Sequence, residues 1–158
     1  MKIGILFLLG ITAIMALSTA GQGDLSQLHL ATEQFQRPEA AQAAGYNFMS
    51  SLDYCNRNLG GAGYQYVNIG LIDTTVDLVH PEALIYVPDP NGTLQLGAVE
   101  YMVPVAAWNA IHKAEWPQIM GQQFHLNSTL GAYVLHVWIW KDNPSGIFED
   151  WNPNVACL

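Results

Sequence analysis

The chain has 158 residues and 17.4 kDa, with 51% hydrophobic and only 11% charged residues, a length that supports one hydrophobic core and not two. Five Lys and Arg against thirteen Asp and Glu give a net charge of −8 and a pI near 4.7. That balance excludes a nucleic-acid surface, which needs clustered cations, and the apolar fraction excludes a disordered acidic chain.

Lys2 precedes an apolar run from Ile3 to Leu17, followed by Ser18-Thr19-Ala20. A positive residue, an apolar stretch and small residues before a cleavage point describe a secretory signal peptide, with cleavage expected after Ala20. The expected organisation is a signal peptide at 1–20 and a single domain at 21–158, secreted or periplasmic. No later run is long and apolar enough for a membrane span. Export also changes the reading of the two cysteines, Cys55 and Cys157. An oxidising compartment favours a disulfide between them, closing a loop of about 100 residues that stabilises by up to roughly 4–5 kcal/mol.

Residues 21–25 are small and polar and read as loose. Leu28, Ala31 and Phe35 then fall at helical spacing, and Ala40, Ala43 and Ala44 extend an apolar face, so a helix is expected from Ser26 to Ala44. Pro38 should break or kink it, and Gly45 should end it. Residues 46–62, rich in Asn and Gly, read as loop. Tyr64–Ile69 is aromatic and β-branched and reads as a strand. Ala83–Val87 and Leu94–Val103 flank Pro88-Asp89-Pro90-Asn91-Gly92-Thr93, the signature of a β-hairpin. Val105–Lys113 has helical spacing after Pro104. Ala132–Trp140 (AYVLHVWIW) is apolar on both faces and reads as a central strand, and Asn143–Trp151 as a turn or short helix. The expected fold class is α+β, a mostly antiparallel sheet with helices packed on it and one disulfide.

Two ionisable residues stand inside these apolar strands, Glu100 in LQLGAVEYMV and His136 in AYVLHVWIW. Alternation puts Leu96, Ala98, Glu100 and Met102 on one face, and Val134, His136, Trp138 and Trp140 on one face of the other strand. Buried polar groups must be paired or shift their pKa. Glu100 and His136 are therefore a candidate catalytic pair, or, with His125 from the preceding loop, a candidate metal set. Imidazole and carboxylate suit divalent Zn, Cu, Mn or Fe. Gln65, Tyr66 and Trp138 are candidate ligand-binding residues around the same interior. His29, His80 and His112 read as surface or capping residues. Asp73 and Asp77 in DTTVD lack the spacing of a calcium loop, and Asp73 or Glu82 approaching Glu100 would give a carboxylate pair of the glycosidase kind. The chain has no G-x-S-x-G, P-loop, H-E-x-x-H or C-x-x-C motif.

Three segments, GAGYQYVN (61–68), ALIYVPDPNGTLQLGAVEYMVP (83–104) and LHVWIWKDNPSGIFEDWNPNVAC (135–157), together resemble a family of secreted, single-domain proteins of bacteria and some fungi with no assigned activity. Gly45-Tyr46 after an Ala-rich helix, the hairpin ending V-E-Y and the closing L-H-V-W…N-P…W-N-P-N-V-x-C carry the resemblance. It implies family-typical positions for Cys55, Glu100, His125, His136 and Cys157, and export of the mature chain. The chain departs from that pattern at Gln65 and Ala132, where the pattern has His, which weakens a tight metal site. Three functions follow as expectations: binding of a small ligand or metal ion around Glu100 and His136; a hydrolase or lyase with Glu100 as general base and His136 as its partner; or a structural or interaction protein in which the two form a core hydrogen bond. The expected partner is a small ligand or metal ion, with no nucleic acid and no membrane span after signal removal, and the sequence leaves the oligomeric state open.

Overall fold

The computed structural model describes residues 19–49, 55–113 and 115–156. Most of the expected signal segment, residues 1–18, lies outside them, as does Cys157. Helix α1 runs Thr19–Thr32, and a 3₁₀ turn, Glu33–Phe35, carries the chain to α2, Pro38–Ala43. Residues 21–25 are thus helical rather than loose. Gly21, Leu25, Leu28 and Thr32 form one inward stripe, and burying that stripe outweighs the poor helix propensity of Gly21 and Gly23. Pro38 opens α2 as expected, with Arg37 extended before it. Gly45, at φ +93, closes it while Tyr46 N–H donates to Ala41 O.

Strands β1 (Asn47–Phe48), β2 (Cys55–Asn56), β3 (Gly60–Gly61), β4 (Tyr64–Val67), β5 (Ala83–Pro88) and β6 (Leu94–Pro104) follow. After them come helix α3 (Val105–His112) and strands β7 (Gln118–Ile119), β8 (Gln122–Gln123), β9 (His125–Asn127) and β10 (Ala132–Val137). One antiparallel six-stranded sheet has the order β1-β4-β5-β6-β10-β9, and β2–β3 and β7–β8 are two-stranded ribbons. This is the α+β architecture the sequence implies. The segment at 46–62 read as loop contributes three two-residue strands, too short for any periodicity to register.

The β5–β6 hairpin is held by Asp89, whose Oδ1 accepts from the N–H groups of Asn91 and Thr93 while Gly92 takes φ +81. Its register slips once. Ile85 faces Ala98 but Tyr86 faces Leu96, leaving Gly97 as the extra residue of a bulge. The bulge moves Leu96 to the face opposite Glu100, against the simple alternation expected for β6. A second correction concerns β10, which ends at Val137 rather than Trp140. Trp138 N–H is taken by Ile147 O, and the N–H groups of Trp140 and Lys141 turn to Gly97 O. Trp140 consequently leaves the face of His136, stacks on His29 and donates to Thr32 Oγ1.

The two faces of the sheet are covered differently. The helices pack on one, against Leu84, Tyr86, Val99, Tyr101, Val103, Leu135 and Val137. The other carries two smaller apolar clusters, one with Val67, Ala83, Met102, Ala132 and Val134, and one with Ile85, Val87, Ala98, Trp138 and Val155. At roughly 1.5–3 kcal/mol per buried large apolar side chain, the helix face supplies most of the stabilisation. The second face is spanned by the segment 142–155. Among the described residues, no helix is long and apolar enough to cross a membrane.

Candidate functional site

Between the two small clusters on the second face runs a row of polar side chains. Glu100 of β6 stands directly opposite His136 of β10, and both are buried, at 1% and 5% exposure. His136 Nδ1 lies 3.9 Å from Glu100 Oε1 and 3.2 Å from Asp150 Oδ1, the latter within ion-pair distance but off the line of a hydrogen bond. The second oxygen of Asp150 is 3.1 Å from His125 Nε2. His125 reaches this face because β9 pairs with β10, placing it opposite Val134, two residues from His136. The four side chains thus form a chain of acid, base, acid and base.

Asp150 is the member that sequence reasoning missed, because it belongs to an irregular strap with no periodicity. Hydrogen bonds on both sides fix it. Trp138 Nε1 donates to Glu149 O at 2.6 Å, and Asn143 Nδ2 donates to Trp151 O at 3.0 Å. Asn152 ties the strap further, donating from its side chain to Asp142 O and from its backbone to Gly61 O. The available signal was the density of Asn-Pro turns around two adjacent acids, Glu149 and Asp150: NPSGIFEDWNPN.

Burial, the largest influence on Glu100, raises its pKa against the opposing pull of His136. Burial likewise works against the charge on Asp150, yet His125 and His136 outweigh it and hold that carboxyl far below the usual range. For His136, burial opposes protonation, but Glu100 and Asp150 prevail and raise its pKa. His125 is raised chiefly by its contact with Asp150. Two carboxyl groups that share one imidazole are therefore driven in opposite directions.

Gln65 completes the row. It is fully buried on β4, opposite Ile85, which itself faces Ala98, so it shares the face of Glu100. Both atoms of its side-chain amide lack a hydrogen-bond partner among the described residues, as do Glu100 Oε2 and His136 Nε2. Buried polar atoms in folded proteins are paired in about nine cases in ten or more, so this concentration on one face is unusual.

The remaining candidates separate. Trp138 lies on the same face beside Ala98 and Ile85. Tyr66 does not: it alternates to the helix face and packs edge-on against Tyr86 at 5.0 Å, which removes it from the ligand-binding set. Glu82 does not join Glu100. Its Oε2 accepts Met102 N–H where the β5 ladder ends, and burial together with Asp73 and Asp77 raises its pKa to about 7. Asp73 and Asp77 accept backbone N–H groups within their own turns. His29 and His112 stack on Trp140 and Trp108, and His80 pairs with Asp77. Two residues beyond Glu100, Met102 lines an apolar groove of about 170 Å³ with Val67, Ile72, Leu130 and Ala132. Among the described residues, no group of three or more His, Cys, Asp and Glu is arranged to hold a metal ion.

No protein-family model matches the chain, and neither a curated protein nor a solved structure matches it.

Proposed function

We propose that this is an exported domain that binds a small polar ligand on the sheet face carrying Glu100 and His136. The observation that carries the reading is the set of unpartnered buried atoms, Glu100 Oε2, His136 Nε2 and both amide atoms of Gln65. Leaving a buried donor or acceptor unmatched costs about 1–3 kcal/mol, and such a cost is tolerated where a ligand supplies the missing partner. The family resemblance and the leader-like residues 1–20 support export. A Cys55–Cys157 disulfide fits the same reading. Cys55 pairs with Gly61 across the β2–β3 ribbon, and Gly61 N–H donates to Val155 O, two residues before Cys157.

The test is a set of melting curves for the wild type and Glu100→Gln, each alone, with Zn, Cu, Mn or Fe as divalent ions, and with a panel of small polar fragments. A fragment that raises the wild-type Tm and leaves the variant unmoved supports the reading, because linkage stabilises only where binding exists. A metal that does so makes the ligand an ion. No shift with any additive, together with a large fall in the variant, makes Glu100–His136 a structural core pair.

One observation favours a second reading, a hydrolase or lyase. Glu100 is driven up and Asp150 down on either side of His136, and carboxyl groups driven apart by their surroundings mark acid–base assignments. Glu100 would then be the general base and His136 the group that stabilises it as it gains and loses a proton. Turnover of an ester, amide or glycoside by the wild type, lost in Glu100→Gln with the fold intact, would establish it.

A further inference from the structure

Three triplets of the form Asn-x-Ser/Thr occur in the chain: Asn91-Gly92-Thr93, Asn127-Ser128-Thr129 and Asn143-Pro144-Ser145. In an exported chain such a triplet is the acceptor for N-linked glycosylation, provided that the middle residue is not Pro and the Asn stands on the surface. Pro144 removes the third, and Asn143 is buried with its side chain bonded to Trp151 O and Ser145 N–H. The structure separates the other two.

Asn91, Gly92 and Thr93 form the tip of the β5–β6 hairpin, and all three are exposed. The turn is built without the Asn91 side chain. The backbone N–H groups of Asn91 and Thr93 converge on Asp89 Oδ1 at 2.8 and 2.9 Å, and Asp89 N–H donates to Thr93 O at 2.8 Å. Nothing lies within 4 Å of where a Cβ on Gly92 would stand, which leaves room for a bulky group. Gly92 N–H, the nitrogen through which an Asn-Gly pair cyclises and deamidates, is engaged by Asp89 O. Asn127 differs. It is half-buried and paired with Ala132 across β9 and β10, and its Oδ1 accepts Leu130 N–H at 3.2 Å. A sugar on that amide competes with the turn into β10.

Resting on the export reading above, we infer that Asn91 is a glycosylation site, the acceptor of an oligosaccharide from a lipid-linked diphosphate donor. In the transfer, the bond from the sugar's anomeric carbon to the diphosphate oxygen breaks, and the diphosphate leaves with its electron pair. The anomeric carbon bonds to Asn91 Nδ2, which gives up one proton to the transferring enzyme. The amide keeps its carbonyl and one N–H, and no hydrogen bond of the turn is spent. The exposed hydroxyl of Thr93 is the group by which the triplet is recognised. Glu100 lies six residues beyond Leu94 in β6, on the order of 20 Å from the hairpin tip. The glycan therefore stands clear of the Glu100–His136 face.

The experiment expresses the full chain in a eukaryotic cell that N-glycosylates its secretory proteins. The protein in the medium is weighed intact before and after an amidase that cleaves N-linked glycans and leaves Asp in place of the glycosylated Asn. The expected result is a mass above that of the polypeptide by one oligosaccharide, lost on amidase treatment, with the conversion to Asp mapped to position 91 by peptide sequencing. Asn91→Gln and Thr93→Ala should each abolish the glycan, Thr93→Ser should keep it, and Asn127→Gln should leave it unchanged. Asn91→Gln should melt at the temperature of the deglycosylated wild type, because the turn does not use this side chain. Secreted wild type with no glycan at Asn91 overturns the inference and leaves the export reading standing, and so does a glycan confined to Asn127. Wild type held inside the cell without a glycan overturns both.

Discussion

The two faces of the central sheet treat polar atoms in opposite ways. On the helix face, four buried tyrosine hydroxyls meet acceptors: Tyr46 donates to Pro81 O, Tyr86 to Phe35 O, Tyr101 to Leu78 O and Tyr133 to Asn109 Oδ1, and Gln36 Nε2 is the one buried side-chain atom there, among the described residues, that lacks a partner. On the other face, Gln65, Glu100 and His136 keep buried atoms without partners. Residues 100 and 101 are neighbours in one strand and belong to different worlds. A satisfied polar group fastens a scaffold. An unsatisfied one is a standing cost, and such costs concentrate where a protein meets something else.

The sharpest way to break this contrast is to mutate the neighbours. Tyr101→Ala should lower unfolding free energy by about 3–5 kcal/mol, since it empties a filled core site and strands Leu78 O. Glu100→Gln should change it by less than about 1 kcal/mol, because it removes a disfavoured charge without changing shape. Urea unfolding of both variants checks the pair, and comparable losses would erase the distinction between the faces.

The strap that brings Asp150 to the polar face is the next target. Gly60 has φ +107, and a Cβ there would run into the carbonyl of Asn152. Gly60→Ala should therefore cost on the order of 2–4 kcal/mol by strain and displaced packing. It should also lower the pKa of His125 towards its ordinary value as Asp150 moves away, read by NMR titration. Cys157→Ser should loosen the same strap, with a loss of about 2–4 kcal/mol if the proposed disulfide forms. Alkylation of the unreduced mature protein should find no thiol.

A smaller effect separates the two buried glutamates through pH. A carboxyl whose pKa is raised in the fold binds its proton more tightly folded than unfolded. Its contribution therefore favours the fold at low pH and is lost as pH rises from the unfolded value to the folded one. For Glu82 the loss runs from pH 4.5 to about 7 and is on the order of 3 kcal/mol. Glu100 acts in the same direction. Asp150, held low, acts oppositely, contributing above the usual carboxyl range and losing that contribution in strong acid. Stability should thus fall between pH 5 and 7, and Glu82→Gln should flatten part of that slope. The smallest expected effect is that of Tyr133→Phe, about 1 kcal/mol for one hydrogen bond from a buried hydroxyl to the exposed Asn109.

Much of the fold could be read from local chemistry. The PDPNGT turn defined the hairpin, Pro38 marked the helix break, and alternation put Glu100 and His136 each on one face of its strand. What escaped was decided by single residues with long-range effects. Gly97 sends Leu96 to the other face through a bulge, and the capture of Trp138 N–H by Ile147 ends β10 three residues early and swings Trp140 onto α1. The ribbons β2–β3 and β7–β8, each of two-residue strands, are too short for periodicity to reveal. Half of the polar chain was legible as Glu100 and His136, and His125 was a reasonable third member. Asp150 was hidden because its position depends on Asn143, Asn152 and Trp138 bonding to the strap around it, and no local pattern encodes that. Tyr66 was misplaced for the opposite reason: it shares a strand with Gln65 but has the other parity.

The central claim is that Glu100 and His136 serve a site and do not form a core ion pair. A double-mutant cycle of Glu100→Gln and His136→Gln in urea unfolding at pH 7 measures this coupling directly. With Nδ1 and Oε1 3.9 Å apart and both partners retaining unmatched atoms, the coupling should be below about 1 kcal/mol, and neither single variant should lose more than that. A coupling of about 3 kcal/mol or more, with each single variant strongly destabilised as when one partner of a buried pair is removed, would contradict the account.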